Sequence, residues 1–325
     1  MPLDYNAIMS TTLDNYRKTL VDQIMKDVPL WYWLDKKGRK RIEDGGANII
    51  IQLRYALNST VGSIAGYDKI DTTPQEGITA CKWNWKEEAG TISISREEER
   101  KNSGEHRLVN LLEQKTLQTQ DSFTQDFGEK IYLDGTGNGG RDITGLAAIV
   151  ANLPTSGILA GIDRAEWDWW RNQYQDVAAG GTLWNGKFAT CGLTAFRQMY
   201  RKTKNGADKA DLIVTGDIVQ DGYEVVLEGK MQIQQAKKGV MADAGYVDTW
   251  YKGIEMVNDG FCPEGSAYWL QSKYLQLVVD KESDFVTLPF TPTPTQLARL
   301  AIVAWMGNVT ASNCQRLGVD HGFTE

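Results

Sequence analysis

The stretch Ile49-Ile50-Ile51-Gln52-Leu53-Arg54-Tyr55-Ala56-Leu57 alternates strictly, with Ile49, Ile51, Leu53, Tyr55 and Leu57 on one face. Alternation of period two is the mark of a half-buried strand. Residues 58–80 follow, over twenty positions rich in Gly, Ser, Thr and Asp. A strand pattern then returns, with Cys81, Trp83 and Trp85 set against Lys82, Asn84 and Lys86. A third strand follows Gly90, as Thr91-Ile92-Ser93-Ile94-Ser95. The reading is a long β-hairpin with an extended polar tip. Loops longer than ~12–15 residues are uncommon in compact domains unless they act in function. An isolated two-stranded hairpin is marginal in water. The apolar face formed by Ile49, Ile51, Leu53, Tyr55, Trp83 and Trp85 has no obvious cover nearby in the sequence. A neighbouring copy of the chain is its expected cover.

A long helix is predicted downstream of the hairpin, from about Asn102 to Asp134. Asn102 and Glu105 have capping-box spacing. Leu108, Leu112, Thr116 or Lys115, Thr119, Phe123, Phe127 and Ile131 track one narrow stripe, and Gly135 suits the C-terminal cap. Thirty residues give a rod of about 45 Å. With so thin a stripe, it packs along one side only.

Upstream of the hairpin, Leu13, Tyr16, Leu20, Ile24 and Val28 form another helical stripe, which Pro29 ends. An aromatic knot containing Trp31 and Trp33 comes next, then the basic run Lys36, Lys37, Arg39, Lys40 and Arg41. That run is either a solvated turn or a contact with acids of a neighbouring copy, with Glu97 and Glu98 as candidate receivers. DNA contact is the lesser alternative.

Beyond the Gly-rich break at 135–140, the pattern is mixed to about Phe285. Helices are expected over 165–177, with Trp167, Trp170 and Tyr174 near one face, and over 188–200. Strands are expected at Leu212–Thr215, Ser266–Leu270 and Lys273–Val279, with a helix carrying Ile218, Val225 and Val226 after the first. Residues 288–294 read as a Pro-rich linker. An apolar strand over Leu297–Met306 and a short strand from Asn308 to Cys314 close the chain.

Composition narrows the function. The chain has 325 residues, 42% hydrophobic and 24% charged, which is ordinary for a folded protein. Acids outnumber bases, 42 to 35, for a net charge of −7. A dedicated nucleic-acid binder needs clustered cations to displace phosphate counterions, so that class is disfavoured. Eleven Trp and 13 Tyr suit either extensive contact between chains or a Trp-rich core. The four cysteines have no metal-ligand spacing. No basic-then-apolar leader is visible, and no apolar run approaches the ~20 residues of a membrane span. Cytosolic production with free thiols is expected.

Catalytic constellations are not found. The two histidines, His106 and His321, fall on a helix start and near the end of the chain. The 135–140 glycine run follows a helix, lacks nucleotide-binding spacing and reads as a turn. Asp163, Glu166 and Asp168 fit a helix start, where acids complement the dipole. No catalytic residue, metal ligand or cofactor is expected.

The order of these elements resembles the Hong Kong ninety-seven (HK) type capsid fold of tailed-bacteriophage major capsid proteins. The hairpin flanking a polar tip is one match. The long helix running through a Gly-rich turn into Asp142-Ile-Thr-Gly-Leu146 is another. The others are Leu212–Thr215 followed by a helix, Tyr251–Val257 followed by Pro263–Tyr268, and Leu297–Met306 followed by 307–318. The resemblance spans nearly the whole chain and implies an α+β fold. It divides the chain into an N-terminal arm (1–46), an extended loop (47–100) and a spine helix of the peripheral domain (101–139). A mixed α/β axial domain (140–287) and a return strand with a C-terminal peripheral segment (288–325) complete it. It implies hexamers and pentamers in a closed icosahedral shell of the virion, enclosing double-stranded DNA without sequence-specific binding. Scaffolding, portal and decoration proteins are the implied further partners. Lys69 in the tip, with Asn308 and Asn313, has the residue types of the family's cross-link. Both types are common, and no cross-link is expected. An encapsulin-like nanocompartment shares the fold. A carbohydrate-binding or carbohydrate-acting protein is the alternative from another class, motivated by the tryptophans.

Overall fold

A computed structural model describes residues 28–101, 105–180, 184–228, 249–293 and 296–324. The N-terminal stripe up to Ile24 and the Asn102 half of the expected capping box lie outside the described residues.

Strand β14 (Ala298–Ala311) organises the first of two large sheets. On one side it pairs along most of its length with β4 (Lys86–Ser95), from Ser95↔Ala298 to Lys86↔Gly307. On the other side, β13 (Val286–Pro292) covers its first half and β12 (Leu275–Asp280) its second. Strand β1 (Lys40–Glu43) adds in parallel to β12. Ala301, Val303 and Trp305 alternate along β14 and are buried. The spine helix α3 (Glu105–Lys130) lies over that face. Its stripe is the expected one: Leu112, Thr116, Phe123, Phe127 and Ile131 are buried. Phe127 stands 5.0 Å from Trp305 and 4.9 Å from Trp31, ring centre to ring centre. Each such side chain taken from water stabilises the fold by roughly 1.5–3 kcal/mol. Gly90 lets helix and strand approach, because a Cβ there would sit 2.6 Å from the Phe123 ring. Lys130 ends the helix among Glu88 (2.7 Å), Asp126 (2.8 Å) and Asp142 (3.4 Å).

The second sheet has six strands in the order β7-β15-β11-β8-β10-β9. They are β7 (Gln173–Asp176), β8 (Leu212–Thr215), β9 (Thr249–Tyr251), β10 (Ile254–Asn258), β11 (Ser266–Leu270) and β15 (Gly318–His321). Ile213, Met256 and Trp269 bury one face with residues of α4 (Leu193–Thr203) and α5 (Asp217–Glu228). Leu212, Val214, Tyr268 and Leu270 bury the other face in the first core. Being covered on both sides, β8 reads as an unbroken apolar run.

The hairpin forms as β2 (Ile49–Arg54) and β3 (Ile78–Trp83), in register from Ile49↔Trp83 to Arg54↔Ile78. Each strand is shorter or longer than its alternation suggests. Residues 55–57 and 84–85 leave the ladder and 78–80 join it, and the third strand, β4, begins at Lys86 rather than after Gly90.

Several local readings are corrected. Residues 165–177 are not a helix but a 3-10 turn at Asp168–Trp170 followed by β7. The helical spacing of Trp167, Trp170 and Tyr174 misleads, because only Trp170 is fully buried while the other two are exposed. β7 is held by parallel pairing to β15. The Pro-rich 288–294 stretch is mostly edge strand β13, with a register shift between Leu288 and Thr291 where Pro289 sits, an irregularity that tolerates proline. The two strands expected over 297–314 are one strand, β14. A helix, α2 (Arg96–Lys101), stands where only a solvated acidic run is expected. Ser95 and Glu98 form its reciprocal cap, with Ser95 N–H to the Glu98 carboxylate at 3.0 Å and Glu98 N–H to Ser95 Oγ at 3.2 Å. Finally, β12 belongs to the five-stranded sheet, although it falls within 140–287. β15 belongs to the six-stranded sheet, although it falls within 288–325.

Candidate assembly surface

Where the hairpin ladder ends, Tyr55 N–H bonds to Gly77 O at 3.0 Å, and the chain then extends as a loop to Gly77. Short polar bonds staple this loop. Ser59 Oγ donates to Gln75 Oε1 across its two arms at 2.8 Å. Asn58 accepts from the N–H and hydroxyl of Thr60, and Asp71 from those of Thr73. The Thr73 donors hold the Asp71 carboxyl below its ordinary range. The apolar side chains between these staples point to solvent. Leu57 is 95% exposed, Val61 82% and Ile64 63%. Tyr67 and Ile70 are exposed too, as is Ile78 at the root. These exposed apolar side chains, strung along a stapled loop, are the candidate contact surface.

Seven of the residues expected to contact a neighbouring copy lie in this chain's own core. Ile49, Leu53, Trp83, Trp31 and Trp33 are buried within their own chain, and Ile51 and Trp85 pack against the same core. They pack together in one core made by helix α1 (Pro29–Lys36), which carries Trp31 and Trp33, the hairpin, and α3 and β14 from distant parts of the sequence. Tyr55 is half-buried against Trp167 and Trp169. The basic run finds partners at home: Lys37 lies 3.9 Å from Asp211, Lys40 2.6 Å from Asp284 and Arg41 2.6 Å from Glu43. Lys36 stands over the Tyr32 ring, and Arg39 is half-buried. Glu97 pairs with Lys101, and Glu98 with Lys115, within the chain, and Glu97 stays exposed. Of the expected contact residues, Lys69 in the tip is exposed on the loop itself. The sequence reading missed Leu57, Val61, Ile64, Tyr67 and Ile70 as a set. Their signal was a spacing of three to four inside a stretch rich in Gly, Ser and Thr.

Nucleophile chemistry is poorly served. All four thiols are buried. Burial pushes Cys314 up to about 12 and Cys262 well above the usual thiol range. A thiol in that state is inert. Among the described residues, no group of three or more His, Cys, Asp or Glu is placed to hold a metal ion. None of the described helices is long and apolar enough to cross a membrane. Asp163 accepts the Ala165 N–H at 2.8 Å in a turn rather than at a helix start, and Asp168 pairs with Arg171.

No protein-family description matches the sequence, and no curated protein matches it. Solved structures do match. The capsid of cyanophage A-1(L) aligns with a TM-score of 0.66 at 15% identity, over 87% of this chain and 90% of that one. The capsid of Myoviridae phage XM1 aligns with a TM-score of 0.54 at 12% identity, over 88% and 90%. An encapsulin complex from Synechococcus elongatus aligns with a TM-score of 0.50 at 7% identity, over 89% and 87%. Identities this low establish shared fold, and the shared fold covers almost all of each chain.

Proposed function

From the Hong Kong ninety-seven (HK) type capsid fold that this chain has, we propose that it is a major capsid protein of a tailed bacteriophage. Its work is structural rather than catalytic: copies assemble as hexamers and pentamers into a closed icosahedral head around double-stranded DNA. The observation that carries this reading is the stapled loop 55–77. Its apolar side chains have no cover among the described residues, and another copy supplies one. Among the described residues, the two apolar cores are covered by the chain itself.

Charge fits a container. The net charge of −7 and the home-chain partners of Lys37, Lys40 and Arg41 leave little to grip phosphate. DNA is therefore enclosed without sequence-specific binding. Scaffolding, portal and decoration proteins are the further partners that this role implies, and the virion is its place.

The test is assembly of the purified chain, followed by light scattering and negative-stain microscopy. Closed shells support the proposal, and a folded chain that stays monomeric under shell-promoting conditions overturns it. The encapsulin-like likeness motivates a second reading, a nanocompartment. Nuclease-protected double-stranded DNA inside native particles selects the head; an enclosed protein cargo selects the nanocompartment.

A further inference from the structure

Beside the root of the loop, Tyr55, Trp167 and Trp169 form a surface aromatic group. Tyr55 stacks on Trp169 with ring centres 5.5 Å apart, and meets Trp167 edge-on at 5.8 Å. Together with Ile78, Asp163 and Glu166 they line a hollow of about 350 Å³. Trp167 remains 39% exposed, an unusual amount of indole to leave in water within a cluster that is otherwise packed.

The hollow has aromatic faces and two acids but no cation of its own. Asp163 uses one oxygen on the Ala165 N–H, and Glu166 is exposed. Neither has an ion-pair partner among the described residues. The arginines nearby are committed elsewhere. Arg164 is buried and donates to the carbonyls of Ala148 and Ile149. Arg171 donates to the carbonyls of Arg164 and Ala165 and pairs with Asp168. Indole faces attract cations through their quadrupole, and neighbouring carboxylates add to that attraction. The same carboxylates repel an anion, and a purely apolar occupant would leave them unanswered.

We propose that this hollow seats a lysine or arginine side chain of a second copy of the chain. The occupant rests on the shell reading above. Tyr55 and Ile78 are the residues from which the loop springs, so a copy that covers the loop also reaches the hollow. The seat then pins the root of the loop by charge, while the tip is held by apolar burial.

Two measurements test this. In the first, the full chain labelled with 5-fluorotryptophan is titrated with N-methylguanidinium at constant ionic strength, and its fluorine resonances are assigned with Trp167→Phe and Trp169→Phe. The two resonances shift saturably with the cation and not with neopentyl alcohol. Asp163→Asn with Glu166→Gln weakens the response by about threefold or more. No shift, an equal shift with the neutral alcohol, or a shift with maltose in place of the cation overturns the seat. In the second, assembled shells carry p-benzoylphenylalanine in place of Ile78 and are irradiated. Cross-links to a Lys- or Arg-bearing peptide of a second copy are expected. Intact shells with cross-links confined to one chain, or with none, overturn the second-copy occupant. Absence of shells in the microscope overturns the shell reading and the second-copy occupant with it, while the titration still scores the hollow's preference for cations.

Discussion

Tyr132 donates a 2.6 Å hydrogen bond from its hydroxyl to a carboxylate oxygen of Asp259, and both residues are buried. The bond ties the end of the spine helix to the loop that leaves β10. That loop is itself held by the Asp259 side chain, which accepts the Phe261 N–H at 3.0 Å. Burial pushes the Asp259 carboxyl above its ordinary value, while the Tyr132 hydroxyl and the Phe261 N–H pull it back. Tyr132→Phe removes one of those supports. We predict a loss of about 1–3 kcal/mol, the usual result of leaving a buried polar group unpaired. The loss is larger at pH 8 than at pH 5, because the unsupported carboxylate is costliest when ionised. Urea melts at the two pH values check this, and adding Asp259→Asn recovers part of the loss at pH 8.

The passage out of the spine helix depends on one missing side chain. A Cβ on Gly145 would lie 2.3 Å from the carbonyl oxygen of Leu133, 2.5 Å from that of Lys130 and 2.6 Å from that of Ile131. Backbone oxygens at a helix end cannot swing aside as a side chain does. Leu146 N–H also bonds to Ile131 O here, so the segment is anchored in place. Gly145→Ala is predicted to cost about 3 kcal/mol or more, at the upper end of overpacking effects. Thermal melting reads the cost, and an unchanged melting temperature refutes the tight approach.

Asp320 gives a pH signature. It is fully buried, with the Trp269 indole N–H at 2.9 Å from Oδ2. Burial pushes its carboxyl up to about 7, while the Trp269 bond and the charge of Lys202 pull the other way. Between the ordinary 3.8 and about 7, the folded chain keeps a proton that the unfolded chain has lost. This group's contribution to stability therefore falls as pH rises through that window. Asp320→Asn keeps an acceptor for Trp269 and removes the titration. The variant is expected to gain on the order of 2 kcal/mol relative to wild type between pH 5 and pH 8. Parallel denaturation curves for the two proteins that do not converge or diverge with pH would contradict it.

The loop can be removed without touching either core. Tyr55 faces Gly77 at the end of the ladder, so Asn-Gly in place of residues 56–76 closes β2 and β3 as a two-residue hairpin. The expected product is a soluble subunit with a melting temperature near that of wild type and no closed shells. Circular dichroism and negative-stain microscopy decide, and normal shells from the shortened chain would show that the loop does not drive assembly.

Short-range pattern carried much of the fold. The alternation from Ile49 is buried as far as Leu53, by the chain itself rather than by a neighbour, and its last residue Leu57 is exposed; the stripe from Leu112 to Ile131 is buried as read, and Leu212–Thr215 is a strand. The failures share one cause. β7 is a strand because β15, far along the chain, pairs with it, and no spacing within 165–177 reveals that. Trp31, Trp33 and Trp83 seemed to need a neighbouring subunit because their cover, Phe127 and Trp305 among it, is also remote. The candidate assembly surface was legible as a place, the long tip, but not as a set of side chains. Five apolar residues at intervals of three and four among Gly, Ser and Thr match no strand alternation and sit in no helix.

The pairing of β4 with β14 also sets a timetable. Ser95 meets Ala298 and Lys40 meets Leu277, so the first sheet joins strands far apart along the chain. A ribosome adding about 5–20 residues per second needs roughly 10 to 40 seconds between making β4 and making its neighbour. Throughout that interval β4 is an unpaired edge, and Trp31 waits for Trp305. Newly made chains thus spend most of their synthesis as sticky intermediates, at a concentration set by how fast they are produced. A holdase that shields the nascent chain, or slower translation, is expected to raise the yield of soluble subunit more than any change to the finished protein.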